Sequence, residues 1–353
     1  MYTLHQRRRR KLAASSVAGI VLLAIGLTCG APGCAPAHAP ADGRDPGVPP
    51  PGDVPLRMRA LLGLPLPPTP LDARVVDRRV EEGLEVEEVR FRAYPDVEVP
   101  GTLLRPARAD RPLPAIICMP GTHGTRQRLT DPRFYFGDAE WTGWARELAR
   151  RGFITLTLDY RGSDARGQKA LTEATLEHLE GGNYLKYMVD EVTRAVDYLQ
   201  MRPEVDGSRI GMTGFSLGGL LTWTSGAADP RIKVLAPVCG LVGTYRDLAQ
   251  DVRKMRYSGQ LCYPHGFLKA FPGDQPELFG GLAPRAVLVV GRAEDQGMPV
   301  EGLRALERGG AEAYAGRGAA GHFRVSVHPG DHKYSAEMFE EVSAWLDHYL
   351  KSG

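Results

Sequence analysis

Two metal-binding signatures are missing from this 353-residue chain: it holds no C-x-x-C pair and no H-E-x-x-H, the spacings that gather thiolates or imidazoles around zinc. No metal and no cofactor are therefore expected. Cysteine is scarce, at five residues, and two of these, Cys29 and Cys34, fall near the start. Of the other three, Cys118 lies in an apolar run where a small buried hydrophobe is expected, while Cys239 and Cys262 are candidates for pairing that sequence leaves open. No internal repeat appears, so stacked-repeat architectures are excluded. Acid is absent from residues 1–34. The formal charge of +2 misleads for that reason: Arg7 to Arg10 and Lys11 supply five positives, and setting them aside leaves the rest at −3. Such a body offers no electrostatic case for nucleic-acid binding.

The basic block ending at Lys11 is followed by an apolar stretch from Leu12 to Cys29, then by small residues and prolines. That order predicts an export signal over residues 1–34, and a periplasmic, extracellular or membrane-anchored protein. A retained transmembrane anchor is the alternative, since the apolar stretch is just long enough to span a bilayer. A third route to the membrane is lipidation at Cys29 or Cys34, after which residues 35–56, rich in Pro, Gly and Ala, would act as a tether with too little apolar surface to order itself.

From residue 57 to 353 the pattern is that of one α/β domain. Two alternating segments, Leu84 to Arg92 and Val97 to Leu104, read as antiparallel strands. Apolar strands at Ala115 to Met119, Phe153 to Leu158, Arg209 to Phe215, Ile232 to Val238, Ala286 to Val290 and Phe323 to Val327 then alternate with helical stretches. Mostly apolar strands separated by helices imply a mostly parallel, doubly wound sheet covered on both faces. Leu185, Met188, Val192, Ala195, Val196 and Leu199 share one helical face. Residues 241–279 break the alternation and are expected to be an insertion near the site.

Serine is also sparse, with 11 residues, yet one stands in Gly214-Phe215-Ser216-Leu217-Gly218-Gly219. Glycine is plentiful, and chance order would produce G-x-S-x-G in roughly one chain in seven of this composition. Context decides: a strand precedes the motif and an apolar helix follows, so Ser216 is placed on a sharp turn with its hydroxyl projecting from the sheet. A serine hydroxyl needs a base, and the base needs a carboxylate to orient it. Such groups should emerge past the carboxyl ends of strands. Glu294 and Asp295 follow one strand, with Asp295 preferred and Glu294 as the alternative. Of nine histidines, His332 fits the loop before the last helix, and His123 and His265 are possible pocket residues. The Leu217 amide and one from Pro120-Gly121-Thr122-His123-Gly124, best Thr122 and then His123, are candidate oxyanion donors.

With these motifs, and with Pro100-Gly101-Thr102-Leu103-Leu104, Asp159-Tyr160-Arg161-Gly162, Arg202-Pro203-Glu204-Val205-Asp206 and Pro284-Arg285-Ala286-Val287-Leu288, the chain resembles the α/β-hydrolase superfamily, in its dienelactone hydrolase and acetyl xylan esterase-like branch. The resemblance runs from about Leu61 to Leu350. It implies an α/β-hydrolase fold and a serine ester hydrolase whose nucleophile, acid and base are Ser216, Asp295 and His332, with Thr122 and Leu217 holding the oxyanion. The implied substrate is a small-molecule or carbohydrate ester, acetylated carbohydrate first. A prolyl oligopeptidase-like peptidase and a catalytically idle binding module are the rivals. Oligomeric state is not legible.

Overall fold

Strand and helix alternate because apolar β-branched runs are punctuated by glycine, proline and capping residues. The computed structural model describes residues 53–95, 97–122, 124–137, 141–166, 170–250 and 263–352. The expected signal segment, most of the tether, Cys29, Cys34, His123 and Cys262 lie outside them. No helix of the described residues is long and apolar enough to cross a membrane.

In chain order the strands are β1 (Arg74–Glu81), β2 (Leu84–Arg92), β3 (Glu98–Pro106), β4 (Leu113–Met119), the short pair β5 (Tyr135–Phe136) and β6 (Trp141–Thr142), β7 (Ile154–Leu158), β8 (Val205–Phe215), β9 (Ile232–Val238), β10 (Ala286–Arg292) and β11 (Phe323–His328). The helices are α1 (Val54–Leu62), α2 (Arg126–Thr130), α3 (Trp144–Arg150), α4 (Ala170–Leu179), α5 (Leu185–Gln200), α6 (Leu217–Ala228), α7 (Tyr245–Ala249), α8 (Phe267–Ala270), α9 (Asp274–Gly280), α10 (Val300–Ala315) and α11 (Ala336–Lys351).

Nine strands form one sheet in the order β1-β2-β3-β7-β4-β8-β9-β10-β11. The six from β7 to β11 are parallel, and β1, β2 and β3 add antiparallel at one side. Alternation along the central strands divides the core in two. Ala115, Ile117, Met212, Val287 and Val289 pack beneath α5, α6 and α10. Ile116, Cys118, Leu288 and Val290 pack on the opposite side with Trp144 and Leu148 of α3 and Phe339, Val342 and Leu346 of α11. The sheet is thus doubly wound, as expected. The face of α5 read from sequence is buried at all six positions.

Two readings need correction. The body starts earlier than residue 57: Asp53 caps α1 by accepting from Leu56 N at 3.0 Å, proline sits in its first turn, and Val54 and Met58 are buried. Strand β1 was not expected, because as an edge strand it buries neither face and lacks the alternation that marks half-buried strands. It is joined to β2 through Glu82 and Gly83, both with positive φ, the backbone of a tight hairpin turn. In the described part of the insertion, residues 241–250 and 263–279, aromatic side chains pack inward. Phe267, Phe271 and Phe279 are buried, and Trp223 of α6 packs against Phe267 and Phe279 at ring separations of 6.1 and 5.9 Å. This cover leaves every residue of α6 buried.

Candidate active site

The turn between β8 and α6 is shaped by its glycines. Ser216 takes φ 57 and ψ −118, a conformation that costs a non-glycine residue on the order of 1–3 kcal/mol and persists only where its surroundings enforce it. Enforcement comes from close backbone packing. A Cβ on Gly214 would lie 2.5 Å from the Gly218 carbonyl carbon, one on Gly218 2.2 Å from Met119 O, and one on Gly219 2.6 Å from Val238 O. Ser216 N also donates to Val238 O at 2.9 Å. The serine is therefore clamped between the ends of β4, β8 and β9.

His332 stands beyond β11 and Asp295 beyond β10. His332 Nε2 is 3.0 Å from Ser216 Oγ, and His332 Nδ1 is 2.8 Å from Asp295 Oδ2. Asp295 is 4% exposed, and its second oxygen accepts from Gly297 N at 2.7 Å. The adjacent acid points elsewhere. Glu294 is exposed and accepts from Gly330 N, while its own amide donates to Gly330 O at 3.1 Å, so it ties the acid loop to the histidine loop. His265 is not brought to the site: it is exposed, with its ring against His178 at 5.3 Å.

The loop after β4 is held by Tyr160, which the sequence places in a family motif without a role. Gly121 O accepts from Gly124 N at 2.9 Å and from Tyr160 Oη at 2.9 Å, and Tyr160 Oη is 3.3 Å from Thr122 O. In a planar trans peptide the N–H lies opposite the C=O. Fixing the Gly121 carbonyl toward Tyr160 therefore turns the Thr122 N–H away from it. The following helix α2 is tied down as well, because Asp159 accepts from Arg126 N at 2.9 Å and from its guanidinium. At α6 the Leu217 amide belongs to the first helical turn, where N–H groups have no intrahelical acceptor.

These loops enclose a cavity of about 520 Å³ lined by Thr122, Ser216, Leu217, Asp295 and His332, with Leu129, Trp141, Trp144, Phe215 and Met298 as its apolar wall. From the described part of the insertion only Leu241 reaches it. Aromatic contacts run outward from the histidine: Phe215 lies 4.9 Å from the His332 ring and Trp141 lies 5.0 Å from Phe215. No motif announces this wall; its signal in the sequence is only the aromatic content of the segments near 141 and 215.

Cys239, also on the lining, is a buried free thiol. Its Sγ and the ligating atoms of Asp295 and His332 lie within 4.8 Å of one another, the one such group among the described residues. The set suits a metal poorly. Burial first, and the charge of Asp295 second, push the Cys239 thiol up, and a protonated thiol is not a ligand. Asp295 and His332 are meanwhile engaged with each other and with Ser216.

A model of the prolyl oligopeptidase family matches residues 142–353. The Bacillus subtilis (strain 168) protein YtaP, which carries the name of a hydrolase, is 29% identical over 276 residues, 77% of this chain and 91% of that protein. The acetyl esterase Axe7A of Xylanibacter ruminicola is 24% identical over 178 residues, 47% of this chain and 38% of that protein. The solved structure of a glucuronoyl esterase from Solibacter usitatus superposes with a TM-score of 0.62 at 17% identity, covering 84% of this chain and 92% of that one. That last likeness is one of fold.

Proposed function

The chain belongs to the prolyl oligopeptidase family, within the α/β-hydrolase superfamily, and from that premise we propose that it is a serine hydrolase of carboxylic esters. The observation that supports this reading is the linear array Ser216 Oγ, His332 Nε2, His332 Nδ1, Asp295 Oδ2, with separations of 3.0 and 2.8 Å. In the proposed reaction Ser216 Oγ attacks the ester carbonyl carbon as His332 Nε2 takes the hydroxyl proton. Asp295 accepts the Nδ1–H, fixing the tautomer and stabilising the imidazolium. The carbonyl oxygen gathers negative charge between the Leu217 and Thr122 amides. Collapse breaks the bond to the alcohol, which leaves with the proton held by His332. Water then attacks the acyl-serine, gives a proton to His332, and releases the acid and Ser216.

Acetylated carbohydrate is the first substrate class, on the likeness to the acetyl esterase Axe7A and on the export expected from the leader. The family match keeps a peptidase as the second reading. The test is a panel of p-nitrophenyl acetate, butyrate and octanoate, acetylated xylan and a proline-containing peptide anilide, with Ser216→Ala as the blank. The reading expects ester turnover that the blank lacks. Anilide turnover without ester turnover would replace it with the peptidase, and silence on every substrate would point to a binding module. Export, with or without lipidation at Cys29 or Cys34, is part of the proposal; recovery of the protein in the cytosolic fraction would remove it.

A further inference from the structure

Around the site, arginines are matched with acids. Arg126 pairs with Asp159 and with Glu88 at 2.9 Å, Arg133 with Asp131 at 3.0 Å, and Arg146 with Glu81 at 2.9 Å. Arg128 is different. It is half-buried, it is the only Arg or Lys among the described residues lining the catalytic cavity, and no carboxylate of the described residues pairs with it. Its guanidinium carbon lies over the Trp141 ring, 5.6 Å from the centroid, and Trp141 leads through Phe215 to His332. Stacking on an aromatic face holds a guanidinium in place while leaving the N–H donors on its edge available to a planar anion. The carboxylates on the cavity wall are already engaged: Asp295 with His332 and Gly297, and Asp331, at the rim, with Lys333 at 3.6 Å.

We propose that Arg128 is a specificity residue that selects esters carrying a free carboxylate on the acyl chain, binding it with paired N–H donors against the Trp141 wall. The proposal rests on the ester-hydrolase reading for turnover but not for binding. An aliphatic or aromatic spacer fills the apolar wall between Ser216 and Arg128, and the terminal anion supplies the carboxylate that no described residue offers Arg128. A charge-assisted pair of this kind corresponds to roughly tenfold to a hundredfold in specificity.

The experiment compares p-nitrophenyl esters of glutarate and adipate with those of the uncharged pentanoate and hexanoate, correcting for spontaneous hydrolysis with Ser216→Ala. The ratio of kcat/KM, charged over uncharged, is expected to exceed one for wild type, to fall about tenfold to a hundredfold in Arg128→Met, to recover in part in Arg128→Lys, and to shrink as salt is raised. A second arm needs no turnover. Calorimetry of Ser216→Ala with monomethyl glutarate and methyl pentanoate is expected to show preference for the anion, lost when Arg128→Met is added. Preference in binding without turnover of any ester would leave this inference standing and remove the ester-hydrolase reading. Equal handling of charged and uncharged ligands by wild type and Arg128→Met, in either arm, would overturn the inference itself.

Discussion

At the scale of single residues, the clearest contrast is between two neighbouring acids. Asp295 is buried and holds His332 Nδ1, whereas Glu294 is exposed and holds only the Gly330 amide. Asp295→Asn should lower kcat by about 10⁴, because the amide favours the wrong imidazole tautomer. Glu294→Gln should cost less than about tenfold, since loop geometry and not charge at the imidazole is at stake. Steady-state kinetics on p-nitrophenyl acetate decide it; equal losses in both variants would contradict the assignment. In the proposed reaction Tyr160 would act through the backbone it orients. Tyr160→Phe removes the donor to Gly121 O and should lower kcat several-fold to about tenfold with little change in KM, less than the roughly 10²–10³ lost with a direct oxyanion donor. A fall in melting temperature with kcat unchanged would reduce Tyr160 to a structural role.

At the scale of elements, the β8–α6 turn decides where Ser216, the proposed nucleophile, stands. Its glycines are required by approach distance, so Gly218→Ala should lose both stability and activity, with the new Cβ meeting Met119 O at 2.2 Å. Gly316, at the exposed end of α10 with nothing closer than 3.5 Å, is the control, and Gly316→Ala should be neutral in thermal unfolding. The same distances explain what was legible from sequence. A motif such as Gly214 to Gly219 is readable because backbone crowding admits only one residue type at each glycine. The acid and histidine loops are readable because each follows an apolar strand. Helix α1 and strand β1 were not. Pro55 and the Pro-rich approach hide a helix that forms by packing Val54 and Met58 into the core, and β1 has no buried face to leave a pattern. Arg128 and Trp141 carry no spacing rule, since they meet only when the segment after β4 folds over the cavity; Tyr160 stands in a family motif, but its contact with the Gly121 carbonyl forms only in the fold.

At the scale of the whole molecule, stability should depend on pH through a residue far from any motif. Asp190 in α5 is 8% exposed, has a side-chain oxygen without a hydrogen-bond partner, and is pushed up to about 7 by burial, against the pull of Arg194. The folded state thus holds a proton that the unfolded state, with an ordinary carboxylate near 4, releases. The penalty is absent below about pH 4, grows through the interval to about 7, and is complete above it. Asp190→Asn should accordingly stabilise the fold at pH 8 by on the order of 2 kcal/mol, after allowance for partial solvent access, and leave it unchanged at pH 4. Denaturant titrations at the two pH values read this directly; a pH-independent difference would contradict it.

The central claim is that Ser216 is the nucleophile, activated by His332, and covalent capture tests it most directly. A fluorophosphonate probe followed by intact-mass and peptide-mapping mass spectrometry should add one label per chain, on the peptide holding Ser216. Labelling should disappear in Ser216→Ala and fall by orders of magnitude in His332→Ala. A label on another residue, or esterase turnover that survives in Ser216→Ala, would contradict the account.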